Sequence, residues 1–399
     1  MTSDWERKRL GDVCEIVMGQ SPNGESYNTT GNGLPLINGP VEFSPESFGK
    51  TIRSKFTTQP TKLCKEGDLI LCVRGSTTGR MNIAGFDACI GRGVASIRAK
   101  QYQPWINHFI ASIRDVIHGK GTGATFPNVS GDMLSGLEVA MPPLHEQQRI
   151  VTILDQAFDG IAKARVNAEQ NLQNARALFE SHLQSVFTQR GEGWVEMKLG
   201  DSSILKIIDG DRGRNYPSKE DFSDDGFSLF LNTKNVRPDG FNFDATMFIT
   251  EEKDKVLRKG KLQRQDVILT TRGTIGNVAI FDEGVEFENI RINSGMLIFR
   301  PNTGKILPAF LFEVFRSGIM KSQMIRHVSG AAQPQLPIKT LVDFEIPVPN
   351  TLEAQCEIVA SVREIDAETQ RLESLYQRKL AALDALKKSL LHQAFSGAL

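Results

Sequence analysis

The sequence predicts an α+β chain: two homologous globular domains separated by a long antiparallel two-helix coiled coil, with a pseudo-twofold internal repeat. Three observations predict it. Motifs recur in the same order about two hundred residues apart, which is the mark of a duplicated unit. Each copy holds short apolar runs between Gly, Asn and Pro, and each ends in about forty residues with helical periodicity.

The repeat is read from paired segments. Trp5-Glu-Arg-Lys-Arg-Leu10-Gly11-Asp12 returns as Trp194-Val-Glu-Met-Lys-Leu199-Gly200-Asp201, an offset of 189. Gly67-Asp-Leu-Ile-Leu-Cys-Val-Arg74-Gly-Ser-Thr-Thr-Gly79 returns as Gln265-Asp-Val-Ile-Leu-Thr-Thr-Arg272-Gly-Thr-Ile-Gly276, with Arg74 and Arg272 198 apart. Gly123-Ala-Thr-Phe-Pro-Asn-Val129 answers Gly330-Ala-Ala-Gln-Pro-Gln-Leu336 at 207, and the segment from Pro142 to Val151 answers that from Pro349 to Val359 at 207 to 208. The order is kept and the offset only grows, as insertions in loops would make it. The expected domains are 1–145 (α+β), 146–190 (first long helix), 191–350 (α+β) and 351–399 (second long helix).

Within the α+β segments, Asp68-Leu-Ile-Leu-Cys-Val73, Val267-Ile-Leu269 and Met296-Leu-Ile-Phe299 read as strands, and 105–117 and 309–324 as helices. From 146 to 187 the only Gly or Pro is Gly160. Ile150, Leu154, Ala157, Ile161, Ala164, Ala168, Ala175 and Leu183 fall at helical steps there. The second copy has a heptad seam, Ile358, Val362, Ile365, Thr369, Leu372, Tyr376, Leu383, Leu386 and Leu390, with one lapse at Lys379. Forty residues of helix span roughly 60 Å, too much for one small domain to cover. Alanine in one seam and leucine in the other favour packing against each other. Antiparallel packing of related helices implies a twofold axis and a dumbbell.

Across 399 residues, 47 Lys and Arg cancel 47 Asp and Glu, with 40% apolar and 24% charged residues, so the chain is expected to be globular and soluble. The α+β segments carry 15 basic and 13 acidic residues (1–145) and 21 and 22 (191–350), which excludes a general polyanion binder. No run of eighteen apolar residues predicts a membrane span. Five cysteines (Cys14, Cys64, Cys72, Cys89, Cys356), odd in number and without a CxxC pair, predict neither disulfides nor a zinc site and fit a cytoplasmic protein. Two small domains at fixed separation suit a ligand with repeating geometry, and duplex DNA is the usual one.

The block Trp5-Glu-Arg-Lys-Arg-Leu-Gly-Asp-Val-Cys-Glu-Ile-Val-Met-Gly19 with Ser21-Pro22 resembles the opening of a target recognition domain in specificity (S) subunits of type I restriction-modification enzymes. The segment Gly67 to Ser76, Pro142-Pro-Leu-His-Glu-Gln147 and the terminal Ala394-Phe-Ser-Gly-Ala-Leu399 are similar to the same family, and the resemblance covers essentially the whole chain. It implies a non-catalytic subunit with two target recognition domains, each reading one half of a split double-stranded DNA sequence. The long helices would set the gap and bind two adenine-methylating modification subunits. S-adenosylmethionine, ATP and magnesium would belong to modification and restriction subunits, with no cofactor or metal in this chain. Two departures stand out: Thr351-Leu-Glu-Ala-Gln355 replaces Leu144-His-Glu-Gln147, and the second opening lacks Glu-Ile-Val-Met-Gly.

Arg74 and Arg272 follow an apolar strand and precede glycine, so each could reach a phosphate or a guanine edge. The competing role is to pin the loop to its own domain, since a residue shared by both copies cannot encode two different half-sites. Sequence-reading residues belong where the copies diverge. The second domain offers Arg212, Arg214, Asn215 and Tyr216 in one Gly-rich loop and Lys234, Asn235 and Arg237 in another. The first offers Gln20, Asn23, Tyr27, Asn38, Arg80, Arg92, Lys120 and Thr122. Neither His118-Gly-Lys-Gly-Thr-Gly123 nor Phe48-Gly-Lys-Thr51 has the spacing of a phosphate-binding loop, and no Asn-Pro-Pro-Tyr-like methyltransferase segment occurs. Two alternatives remain: a metal-dependent nuclease using Asp239, Glu251 and Lys253, and a scaffold that does not touch DNA.

Overall fold

The computed structural model describes residues 5–46, 48–120, 128–238, 240–328 and 334–399. The chain divides into two compact units, 1–169 with 378–399, and 170–377. Each has the same central sheet of four antiparallel strands. In the first the order is Cys14–Met18, Val94–Ala99, Leu69–Cys72, Met81–Ile83; in the second it is Leu205–Asp209, Met296–Pro301, Val267–Thr270, Val278–Ile280. The repeat seen in the sequence is thus a repeat of topology.

Strand Leu69–Cys72 is buried on both faces, and its period of two sorts the residues into two cores. Leu69, Leu71 and Val73 face a layer of helices, while Ile70 and Cys72 face a second sheet with Ile37, Cys64 and Ile90. In the second unit Val267 and Leu269 face the helices and Ile268 the other sheet. That second sheet contains a parallel pair in both units, Leu36↔Cys89 and Leu229↔Ile290, but it has five strands in the first and three in the second. A further antiparallel ribbon joins Arg7–Arg9 to Glu138–Ala140, and Trp194–Lys198 to Glu345–Pro349.

One ion pair recurs. Arg98 makes a two-pronged contact with Asp68 (2.7 and 2.8 Å), and Arg300 does the same with Asp266 (2.8 and 2.8 Å). Both aspartates are almost fully buried and also accept a backbone N–H, from Lys65 and Gln263. Such a pair fixes the turn ahead of the strand more than it adds net stability. The turn needs a left-handed residue: Gly67 supplies φ +89°, and at the second copy Gln265 adopts φ 73°.

The helices expected at 105–117 and 309–324 are each broken in two, into Gln103–Ser112 and Arg114–Lys120, and Pro308–Arg316 and Gly318–His327. Ser317 explains the second break, because its hydroxyl both donates to Val314 O (2.6 Å) and caps Met320 N (3.4 Å).

The long helices run Leu144–Thr188 and Leu352–Ser396, 45 residues each. Both units use a piece of each. In the first, Arg149 donates to Leu399 O (2.9 Å) and Arg165 to Asp384 (2.6 Å). In the second, Arg176 donates to Glu373 (2.9 Å), and His182 lies 3.2 Å from Ser361 Oγ. The pairing is antiparallel in each. The seam differs from the one read in the sequence. Lys379, already a lapse in the heptad, and Leu386 are exposed; Leu383 and Leu390 face inward as expected, and Leu380, Lys387, Leu391 and Ala394 join them. Two successive steps of four, Leu372 to Tyr376 and Tyr376 to Leu380, absorb the drift of a 3.6-residue helix from a strict heptad and turn Lys379 outward. Gln147 and Gln355, both buried, close the helix starts: Gln147 donates to Pro142 O (2.8 Å) and Gln355 to Lys305 O (3.0 Å).

Aromatic rings complete each core. Trp105 packs on Phe395 (4.5 Å between centroids) and Trp5 (6.2 Å) in the first unit; Phe310 packs on Phe187 (5.8 Å) and Trp194 (6.3 Å) in the second. The ring from the long helix comes from the end of the second helix in the first unit and from the end of the first helix in the second.

Candidate nucleic-acid interface

In each unit four strand ends converge on one polar surface. In the first, the chain leaves strand Cys14–Met18 at Gly19, whose N–H donates to Val94 O (3.0 Å), and Gln20 N donates to Ile90 O (3.0 Å). A methyl group at Gly19 would overlap the Gly91 carbonyl, so only glycine allows this approach. Gly91 N donates to Ile37 O (2.9 Å), Arg92 N to Ser21 Oγ (3.3 Å) and Val73 N to Gly93 O (2.9 Å). Gln20, Asn38, Arg74 and Arg92 are thereby gathered at one edge, and the Gln20, Arg74 and Arg92 side chains are exposed.

The second unit repeats the arrangement. Gly210 abuts the Asn293 carbonyl, Asn293 N donates to Leu231 O (3.1 Å), and Thr271 N and Arg272 N donate to Gly295 O (2.8 and 3.2 Å). Thr274 Oγ1 reaches Thr233 O (3.5 Å). Arg212, Lys234 and Arg272 are exposed here, and Arg212 contacts Asp209 (3.1 Å) and Ser294 O (3.3 Å). The loop holding Arg212 is shaped by Asp211, which accepts from Gly213 N (2.8 Å) and Arg258 N (2.7 Å); these backbone donors, Gly213 first, hold its carboxyl below the usual range.

Arg74 and Arg272 have no side-chain partner among the described residues, and their turns are fixed by backbone bonds, Val129 N to Val73 O and Leu336 N to Thr271 O (both 2.9 Å). Backbone bonds hold both turns without the guanidiniums. Positive-φ glycines, Gly75 and Gly79 in one turn and Gly273 and Gly276 in the other, let the chain double back and leave the arginine outside.

Other expected residues fall elsewhere. Asn235 is corrected outright: it is 2% exposed, and its amide donates to Asn242 O (3.0 Å) and Ala245 O (2.8 Å) while accepting from Asn232 N (3.0 Å), so it is a structural cap. Tyr216 packs on Phe230 (5.8 Å) and Asn215 reaches Val256 O (3.4 Å), whereas Arg214 and Arg237 are exposed. Asn23 caps Glu25 N (3.3 Å), and Tyr27 donates to Pro22 O (3.3 Å). Arg80 is exposed on a different face, in a cleft beside the helices. The Lys120 side chain, Thr122 and Asp239 lie outside the described residues. Asn293, Ser294 and Thr233 belong to the surface but were not expected. The signal for the first two was available, since Ile292-Asn-Ser-Gly295 repeats Ile90-Gly-Arg-Gly93.

The nuclease alternative finds no support. Glu251 pairs with Lys255 (2.8 Å) and Lys253 with Asp221 (2.9 Å), and among the described residues no cluster of three His, Cys, Asp or Glu could hold a metal. Four cysteines are buried and unpaired, and burial pushes the Cys14 and Cys64 thiols up to about 12. Among the described residues no helix is long and apolar enough to cross a membrane.

Comparison with known proteins agrees with this geometry. Residues 2–170 and 191–379 match the family described as type I restriction modification DNA specificity domain. A type I restriction enzyme specificity subunit of Escherichia coli, EcoBI, is 22% identical over 99% of this chain and 86% of its own. A putative specificity subunit of Methanocaldococcus jannaschii, MjaX, is 31% identical over 43% of this chain, a match that spans 41% of that relative. Among solved structures, one from a study of complex assembly and conformational transition of the type I R-M system covers 100% of both chains with a TM-score of 0.81 at 18% identity. The HsdS subunit of Thermoanaerobacter tengcongensis covers 99% of this chain and 97% of its own at a TM-score of 0.61 and 19% identity. With a matching domain in each copy and the fold shared along its whole length, the chain belongs to the type I restriction-modification DNA specificity family, a family of specificity subunits and not of catalytic ones.

Proposed function

We propose that each unit reads one half of a bipartite double-stranded DNA target, and that the long helices set the gap and dock two modification subunits. The observation that carries this reading is the strand-end surface present in both units, where one exposed arginine is shared and its neighbours differ. A shared cation suits the DNA backbone, which is the same everywhere, and divergent Gln, Asn, Arg and Lys side chains suit base edges. Arg74 and Arg272 are then phosphate anchors, with Gln20, Asn38 and Arg92 reading one half-site and Arg212 and Lys234 the other.

On this reading the recognition domains are 1–145 and 191–350 and the spacers 146–190 and 351–399. S-adenosylmethionine serves adenine methylation in the modification subunits, and ATP and magnesium serve restriction subunits, all in the cytoplasm. Half-sites of about three to four base pairs, one helical turn apart, leave a gap of roughly six to eight. Mapping methylated adenines in cells that express the chain with its modification partner tests the proposal. Two short sequences at fixed separation are expected, with Lys234→Ala altering only one of them. An uninterrupted motif, or a change in both halves, refutes it.

A further inference from the structure

We propose that a cleft in the first unit binds an organic phosphate of nucleotide size. The cleft encloses about 600 Å³, within the range of small-molecule sites and far more than one inorganic anion occupies. It lies between the turn that ends at Arg80, the helix break at Arg114 and the second long helix near Lys387, and Phe48 and Phe158 form its apolar walls.

Its charges are unbalanced. Four cations line it, Arg80, Arg114, Lys387 and Lys388, with three carboxylates, Glu46, Asp115 and Asp384. Lys388 is taken by Asp115 (3.1 Å) and Asp384 by Arg165 (2.6 Å). Arg80, Arg114 and Lys387 are left without a carboxylate partner among the described residues, against Glu46 alone. The Lys387 ammonium instead lies 5.0 Å from the centre of the Phe158 ring.

The second unit shows what a completed version looks like. The residue 208 positions before Lys387 is Phe179, and 208 positions after Phe158 stands Asp366. There the cation over the ring is Arg316, 4.8 Å from Phe179, and two carboxyl groups hold it, Glu313 and Asp366, each at 3.1 Å. In the first unit Phe158 stands at the place of the second carboxylate, so a bound anion would supply the charge that Asp366 supplies in the second. Burial also pushes the Lys387 ammonium below its ordinary value, and the attraction of Asp384, which is itself paired with Arg165, does not offset it.

Two guanidinium forks with an ammonium between aromatic walls match a phosphate carrying a flat or apolar body better than a simple carboxylate. Isothermal titration of the full chain with ATP, AMP and inorganic phosphate tests this. ATP and AMP should bind at one site, and inorganic phosphate at least tenfold more weakly. Lys387→Gln and Arg114→Gln should each weaken nucleotide binding about tenfold or more, the usual effect of deleting one charge-assisted bond. Arg80→Gln, at an exposed position, should do the same without disturbing the fold, and exposed Lys62→Gln should change nothing. Absence of nucleotide binding at millimolar concentration, equal affinity for inorganic phosphate, binding that survives Arg80→Gln, or displacement of nucleotide by a short duplex of random sequence overturns the proposal.

Discussion

Arg272→Ala is the sharpest test of how the strand-end surface works. The guanidinium is exposed and has no side-chain partner among the described residues, and its turn is held by Thr271, Gly295 and Leu336 through backbone bonds, so truncation should leave the fold intact. If it neutralises one phosphate, the slope of log affinity against log salt should become shallower by about 0.9. Between 50 and 200 mM salt that amounts to about 3.5-fold less weakening than in the unchanged chain. The assay is duplex binding by the chain with its modification partner across a salt series, repeated on duplexes altered at each half-site. Arg74→Ala should give the same shift, since both turns have the same build. A change of preferred bases at one half-site with an unaltered salt slope would refute the phosphate role and make Arg272 a base reader.

Three further outcomes follow from the packing. Gln265→Gly should raise stability by about 0.5–1 kcal/mol in thermal unfolding, since a left-handed glutamine is strained where Gly67 is not; no gain would mean the strain is offset by contacts of the side chain. Phe187→Ala should cost about 3–5 kcal/mol, because the ring is fully buried between Trp194 and Phe310. Burial pushes Glu313 up to about 7 against the pull of Arg316. Between about 4.5 and 7 the folded state therefore binds more protons than the unfolded, so this group's contribution is complete in acid and fades as pH rises through about 7. Glu313→Gln should flatten that fall in unfolding curves taken from pH 5 to 8, by up to about 3 kcal/mol; an unchanged slope counts against it.

The long helices and the duplicated sheet were legible because periodicity and repetition are properties of the sequence itself. The seam beyond Tyr376 was not: whether Lys379 or Leu380 faces inward depends on the partner helix, which no single heptad reveals. Strands such as Tyr27–Asn28 and Phe56–Thr57 are too short to carry a period, and their register is set by neighbours far away in the chain. At the surface, repetition singled out Arg74 and Arg272, but residue type could not separate Asn235, a buried cap, from Lys234 beside it, which is exposed. Asparagine suits both tasks, and burial alone decides between them.

The exchange of helix ends sets an order of events during synthesis. The second unit is one continuous stretch, 170–377, and its Phe187 is made before Trp194 and Phe310 emerge. The first unit needs 378–399, with Phe395 closing over Trp105, so its core stays open until that segment has been made. The half encoded first is thus the half finished last. Until then it exposes apolar surface to the cell, and a chain cut short near residue 377 would leave that half permanently unsealed while the other is complete.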